Sequence, residues 1–162
     1  MIVDSYRFLP RSFRPLYEGR GAFPGEEHAV WAPFPKRLAD SRIALLSSAG
    51  VYVKANQAAY DLDGERASPE WGDPTWRVIP ASARPDELAF AHLHINGDDL
   101  RADPEIALPM RGLAELVTTV GSHIAVMGYQ DRKLKDWRQT TAPQIVAHLR
   151  EQEADGLILA PA

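Results

Sequence analysis

The sequence has no cysteine. That absence excludes a disulfide, a thiolate zinc site, an iron–sulfur cluster and a thiol nucleophile within these 162 residues. Long apolar runs are missing too: nothing approaches the roughly 18–20 residues a bilayer span requires, so no membrane association is expected. The start, Met1-Ile-Val-Asp-Ser-Tyr-Arg, lacks the charged-then-apolar layout of a signal peptide, and the expected location is cytoplasmic. Excess positive charge is also lacking. With a net charge of −4 and Lys and Arg scattered along the chain, there is no basic stripe to track phosphates. Nucleic acid is therefore not expected as a partner; a small molecule or another protein is. What is present, 45% hydrophobic and 25% charged residues, suits one compact domain with a real core.

Residues 1–40 differ from the rest. Pro10, Pro15, Pro24, Pro33 and Pro35 interrupt any long helix, while Tyr6, Phe8, Phe13, Tyr17, Phe23, Trp31 and Phe34 supply adhesive aromatic surface. An arm that lies on another surface fits this composition, either its own domain or a partner subunit, including a second copy of the chain. Arg7, Arg11, Arg14 and Arg20 in the arm read as solvated or paired with acids.

From residue 41 to 162 the pattern is regular. Arg42-Ile-Ala-Leu-Leu-Ser-Ser is a continuous apolar run closed by Ser47, Ser48 and Gly50, the mark of a strand buried on both faces. A long loop over residues 56–74 leads to a brief strand at Trp76–Ile79. A second long strand is expected over Glu87–Ile95, then a turn at Asn96-Gly-Asp-Asp and a helix near Met110–Val120. Ser122–Val126 reads as a strand broken at Met127-Gly128. Residues from Thr140 or Thr141 to Glu153 read as a helix, with Thr141 as N-cap, Pro143 in its first turn and Ile145, Val146 and Leu149 on its apolar side. The last segment, Ala154 to Ala162, reads as a buried strand, Gly156–Leu159, ending at a loop. Strands alternating with helices predict an α/β fold: a three-layer-like Rossmannoid domain with a mostly parallel sheet behind an irregular, Pro- and aromatic-rich N-terminal arm. Ligands in such folds gather beyond the carboxyl ends of the strands.

The most chemical local feature is His92-Leu93-His94, since alternate strand residues share a face and lie about 6–7 Å apart at the backbone. Asp98, Asp99 or Asp103 can add an oxygen ligand. Three roles stay open: general acid–base or substrate contact, a metal site from His92, His94 and Asp98, and plain hydrogen-bonded pocket wall. Asp73 and Arg77 bracket Trp76 and can form an ion pair or a carboxylate-binding spot. Tyr52, just past the first strand, offers a pocket hydroxyl, and Met127-Gly128-Tyr129 can line a ligand pocket, with Gly128 allowing close backbone approach. Ser47-Ser48-Ala-Gly50 lacks phosphate-loop spacing and reads as a turn. His123 and His148 belong to no constellation and read as structural.

Several blocks follow one another in a familiar order: Val30-Trp31-Ala-Pro, Ile43 to Val51 with Ser48-Ala-Gly-Val, Phe90-Ala-His92, Asp98 and Asp103, Pro109, Leu113 to Leu116, Val126-Met-Gly128, and Thr141-Ala-Pro-Gln-Ile-Val-Ala-His-Leu into Ala154-Asp155-Gly. In this order the chain from residue 29 on resembles component B of glycine, sarcosine and betaine reductase and the selenoprotein subunit of D-proline reductase. His92 is the position that matches that family's histidine. Glu105 and Arg111 depart from it, standing where relatives tend to have Asn and Asp.

The resemblance implies an oxidoreductase component that cleaves a carbon–nitrogen bond of a small amine or amino acid. A selenol or thiol attacks a substrate held as an imine by a pyruvoyl group on a partner subunit. In the family that selenocysteine or cysteine directly follows the last strand, and here no cysteine precedes Ala162. The redox group is thus expected from outside these residues, whether downstream or on another chain. Two other readings stand beside this one. One is a redox-neutral lyase or hydrolase using His92, with His94 and an Asp, as base or metal ligand; the other is a non-catalytic scaffold subunit.

Overall fold

The computed structural model describes residues 33–68, 72–93, 95–128 and 133–161, and Pro15 before them. From Lys36 onward the chain forms one compact unit. The rest of the arm up to Ala32, and its expected docking on a partner, lies outside the described residues.

The elements follow the sequence in order. Strand β1 (Arg42–Ser47) gives way to β2 (Val51–Val53), helix α1 (Leu62–Ala67), β3 (Trp76–Pro80) and β4 (Leu88–Phe90). Then come α2 (Gly97–Ala102), α3 (Met110–Leu116), the two-residue β5 (Thr118–Thr119) and β6 (Ser122–Val126). A single turn α4 (Leu134–Asp136) runs through a π turn (Trp137–Thr141) into α5 (Ala142–Glu151), and β7 (Gly156–Ala160) follows.

The apolar runs place β1 and β6 at the centre of the main sheet. Strand β1 pairs in parallel with β7 on one side, from Ile43 opposite Gly156 to Ser47 opposite Ala160. On its other side it pairs in parallel first with β5 and then with β6. Strand β3 closes the far edge antiparallel to β6, with Trp76 opposite Val126. The sheet is therefore mixed and mostly parallel, and the fold is α/β as expected.

Alternation along β1 sends its side chains into two cores. Ile43 and Leu45 join Ile79, Ala125, Leu100 of α2 and Met110 and Leu113 of α3 on one face. Ala44 joins Ile124, Val126 and Ile145 and Leu149 of α5 on the other. Three layers result, with α5 on one face of the sheet and α2, α3 and the β2–β4 pair on the other.

Several local expectations differ in the fold, each for a physical reason. The long strand expected over Glu87–Ile95 is only Leu88–Phe90, and it pairs antiparallel with β2 in a separate two-stranded sheet. The chain leaves it at Ala91, whose N–H donates to Gly50 O at 2.9 Å. His92 is thus on a loop rather than on a strand face shared with residue 94.

The stretch read as a long loop contains α1, started by the Asp61 carboxylate accepting from Gly64 N. Similarly, Asn96 starts α2 by accepting from Asp98 N, where a turn was expected. Helix α3 stops at Leu116, because Val117, Thr118, Thr119 and Val120 are β-branched and favour extension into β5.

Thr141 occupies the N-cap position of α5 but does not cap it. Its own backbone is helical, continuing the π turn, and its hydroxyl donates to Pro74 O at 2.6 Å. The other end of α5 carries paired return bonds, Ala154 N to Leu149 O and Glu153 N to Arg150 O, with Glu153 at φ 54° where glycine is usual.

Among the described residues strand β7, expected to be buried, lies at an edge of the sheet. Leu157, Ile158 and Leu159 are 39%, 45% and 64% exposed: β7 has only β1 beside it among the described residues, and the layers that cover the centre of the sheet do not fully cover this margin. Its register is held at its start by Asp155, which accepts from Arg42 N at 3.0 Å and pairs with Lys36 Nζ at 2.6 Å. The Lys36 hydrogen bond is the main reason this carboxyl sits below the usual range.

Candidate active site at the carboxyl ends of the strands

Three short segments meet where β1 and β6 end, and backbone hydrogen bonds knit them together. Gly50 N donates to Val126 O at 2.9 Å, Gly128 N to Ser48 O at 2.8 Å, and Ala91 N to Gly50 O at 2.9 Å. Ser48 N also reaches Ala160 O of β7 at 3.3 Å. Gly50 makes this crossing possible in two ways. Its φ of 65° is one that L side chains avoid, and a Cβ there would lie 2.1 Å from Ala91 O. The Ser47-Ser48-Ala-Gly50 turn is therefore a structural crossing point, with Ser47 Oγ accepting from Ala49 N at 3.1 Å.

The same crossing brings His92 against Gly128. A Cβ on Gly128 would lie 2.7 Å from His92 Nε2 and 3.4 Å from Cδ2, so the half-buried imidazole occupies the space a side chain would need. Sequence reading named both residues separately; the fold makes them one contact.

Behind this contact Tyr60 packs with Ala91 and Met127, the residues just before His92 and Gly128, and Tyr52 packs on the cluster's edge. The Tyr60 hydroxyl donates to Ala125 O at 2.8 Å. Burial raises its pKa well above the ordinary tyrosine range; Arg77 opposes that shift and Asp73 adds to it. The Arg77 guanidinium lies 4.3 Å from the centre of the Tyr60 ring, a cation–π contact.

Asp73 and Arg77 are linked through Thr75. Arg77 Nη1 donates to Thr75 Oγ1 at 2.9 Å, and that hydroxyl donates to Asp73 Oδ1 at 2.5 Å. Asp73 also accepts from Asp61 N and Thr75 N, which fastens the loop carrying Tyr60 to the start of β3. Tyr60 was missed from the sequence, because a lone aromatic in a Gly- and Asp-rich stretch carries no periodic signal.

In front of Gly128 lies a cleft of about 540 Å³ between the carboxyl ends of β1, β6 and β7 and the turn from α4 to α5. Its walls include Leu46, Val126, Leu134, Trp137, Leu159 and Pro161, with the Ser48 and Gly128 segment at one side. Arg138 is the one charged residue among its described lining. Met127 points away and is buried in the core. Trp137, Arg138 and Leu159 were not singled out in the sequence, because only the close approach of the π turn to β7 makes them neighbours. A second, more polar cleft of about 410 Å³ lies between the start of β3 and the π turn, lined by Trp76, Asp136, Thr140 and Gln144 among others.

The acidic residues read as candidate ligands are engaged elsewhere. Asp98 pairs with Arg101 on the exposed side of α2. Asp103 Oδ1 accepts from Glu105 N at 3.1 Å and lies 3.8 Å from Arg111 Nη2. His94 lies outside the described residues. Among the described residues no three His, Cys, Asp or Glu groups are placed to hold a metal.

The two departures from the family pattern prove to be one feature. Glu105 accepts from Arg111 N at 3.1 Å and Gly112 N at 2.9 Å at the start of α3, and its carboxylate faces Arg111 Nε at 3.4 Å.

Two further described histidines, His123 and His148, lie apart from this contact. His123 is wholly buried, and Nδ1 accepts from Leu45 N at 3.2 Å. His148 meets Ser122 Oγ at 3.0 Å and the edge of Trp76.

Comparison with known proteins gives a resemblance in the same direction as the ordered blocks. The chain is 29% identical over 136 residues to D-proline reductase subunit gamma of Acetoanaerobium sticklandii, which covers 80% of this chain and 52% of that protein. The chain resembles the proline and glycine reductase family. It spans about half the length of the curated relative it matches. No family model matches it, and no solved structure does. Among the described residues no helix is long and apolar enough to cross a membrane.

Proposed function

We propose that this chain is a component of a reductase-type complex acting on a small amine or amino acid, and that the cleft beyond β1, β6 and β7 forms part of its substrate-facing wall. The observation that carries this reading is the similarity to a D-proline reductase subunit over most of the chain. The clustering of His92, Gly128 and the Ser48–Gly50 turn at the strand ends supports it, since that is where ligands of parallel sheets collect.

Reductive cleavage of a carbon–nitrogen bond needs a polarisable nucleophile that ionises near neutral pH, and no residue of the 162 is a cysteine. In this reading the thiol or selenol is brought by polypeptide outside these residues and works at the open side of the cleft, where β7 ends. A pyruvoyl group on a partner subunit would hold the amine. The residues of this chain wall the cleft, exclude water with Leu46, Trp137 and Leu159, and offer His92 as the group nearest Gly128 for a proton or a substrate contact.

Mixing the purified chain with the pyruvoyl-bearing subunit of such a reductase tests the reading. A stoichiometric complex on gel filtration is expected, with no amine reduction by either protein alone in the absence of a thiol or selenol. Failure to associate, or turnover by this chain alone, overturns it. A cysteine or selenocysteine codon directly after that for Ala162 would supply the nucleophile in the same polypeptide.

A further inference from the structure

The two edges of the main sheet are finished differently. At the far edge β3 ends in Pro80, the Gln57 amide donates to Val78 O at 2.7 Å, and Arg77 Nε donates to Ala58 O at 3.0 Å, so side chains occupy part of the strand's outer side. Strand β7 has no such guard among the described residues. Gly156–Ala160 contains no charge and no proline, its register against β1 runs without a bulge, and three successive large apolar side chains, Leu157, Ile158 and Leu159, are exposed. Sheets that are not meant to pair protect their edges with those very devices. Register also fixes which backbone groups are available. Ser48 N donates to Ala160 O and the β1–β7 ladder alternates in twos, so Gly156, Ile158 and Ala160 face β1 while Leu157 and Leu159 turn their N–H and C=O groups outward. Pro161, next in the outward series, has no N–H and ends it.

We infer that a second copy of this chain pairs with β7, antiparallel and centred on Ile158, joining two sheets into one. The outward residues lie symmetrically about Ile158. A two-fold axis there sets Leu157 of each copy opposite Leu159 of the other, and each such pair exchanges two backbone hydrogen bonds. Two copies in parallel cannot do this, because parallel pairing needs a stagger that a two-fold axis does not supply. Charge agrees with the register. The paired strands are neutral, and Asp155 stands opposite Pro161 of the other copy, so no carboxylate meets a carboxylate across the seam. Asp155 is already engaged by Lys36 Nζ and Arg42 N.

The side chains complete the fit. Leu157 and Leu159 pair with Ala44 and Leu46 and lie on the α5 face, and Ile158 pairs with Leu45 on the other. The two-fold axis places both α5 helices on one face of the joined sheet, with the leucines of both strands between them. On the opposite face it sets Ile158 against its own equivalent at the close, non-hydrogen-bonded position, where apolar cross-strand pairs stabilise a sheet. The carboxyl ends of the two β7 strands point to opposite ends of the joined sheet, so the two clefts do not face each other. The inference is independent of the reductase-component reading.

Because the chain has no cysteine of its own, the register can be tested by a single introduced thiol. Ile158→Cys puts two thiols across the axis with Cα atoms about 4.5 Å apart, within disulfide reach. Ala160→Cys, on the same strand face, puts them roughly 14 Å apart, far outside it. Mild oxidation should turn most of Ile158→Cys into a covalent dimer and leave Ala160→Cys monomeric on a denaturing gel. In sedimentation the native full chain should dimerise in the micromolar range, and Leu159→Lys, a change at an exposed position, should weaken the dimer at least about tenfold with an unchanged circular dichroism spectrum. If Leu159→Lys unfolds the chain, the two thiol variants decide. A native chain that stays monomeric at about 100 µM, equal cross-linking of Ile158→Cys and Ala160→Cys, or a dimer indifferent to Leu159→Lys would overturn the inference.

Discussion

Replacing Gly50 with alanine should be among the most damaging single-methyl changes in the molecule. Three costs combine. The left-handed backbone, φ 65°, penalises any L side chain by about 1–2 kcal/mol. The new Cβ would lie 2.1 Å from Ala91 O, and that obstacle is backbone, so no rotamer change removes it. Relief requires moving apart two segments held by Gly50 N to Val126 O and Ala91 N to Gly50 O, bonds worth about 0.5–1.5 kcal/mol each. With the clash adding the usual cost of overpacking, roughly 1–3 kcal/mol, the sum is about 3–8 kcal/mol. At a urea dependence of about 2 kcal/mol per molar, the unfolding midpoint should fall by about 1.5–4 M.

Gly128→Ala is the internal control. There the Cβ would press on His92 Nε2 at 2.7 Å, the far end of a side chain that can turn away, so the loss should be nearer 1–2 kcal/mol. The His92 ring resonances should nonetheless shift. A midpoint for Gly50→Ala within about 0.5 M of the native value would refute the reasoning, as would a larger loss at Gly128 than at Gly50.

Two further tests follow from the packing. Burial pushes the His123 pKa down, so above about pH 6.5 both native and unfolded states are neutral and the residue adds no pH dependence. As pH falls below that value the unfolded state takes up a proton that the native state refuses. Stability should therefore fall by at most about 1.4 kcal/mol per pH unit until the depressed native pKa is reached. His123→Asn, whose Oδ1 can take the place of Nδ1 toward Leu45 N, should flatten that slope in urea titrations between pH 5 and 6.5; an unchanged slope would assign the acid sensitivity elsewhere. Glu105→Ala removes the acceptor for Arg111 N and Gly112 N and should cost about 1 kcal/mol, whereas Arg111→Ala, an exposed partner, should cost under about 0.5 kcal/mol. Equal losses for the two would show that the ion pair, and not the cap, holds the start of α3.

The segments with continuous apolar runs were legible as sequence. Ile43–Leu46 and Ser122–Val126 are strands at their expected places, and Ile145 and Leu149 face a core from one helix, because burial on both faces or on one stripe is written directly into composition and spacing. The departures cluster where a short polar motif competes with a periodic one. Asp61 and Asn96 start helices of six residues, too short to repeat a pattern, and Ala91 leaves its strand to bond with Gly50, a partner 41 residues away. The apolar character of β7 was read as burial, but composition does not say how many neighbours a strand has.

His92 and Gly128 were both named from the sequence, yet their contact depends on two loops crossing at the end of the sheet. Tyr60, Trp137 and Arg138 gave no signal at all. The residues alone determined the α/β class, the family resemblance and the lack of an ionisable thiol, since these depend on which side chains are present and how they alternate. Tertiary structure alone decided which loop ends meet and that, among the described residues, β7 lies at an edge of the sheet beside a largely apolar cleft. Those features are set by long-range backbone hydrogen bonds and by the closing of a π turn over a strand, and neither leaves a trace in local periodicity.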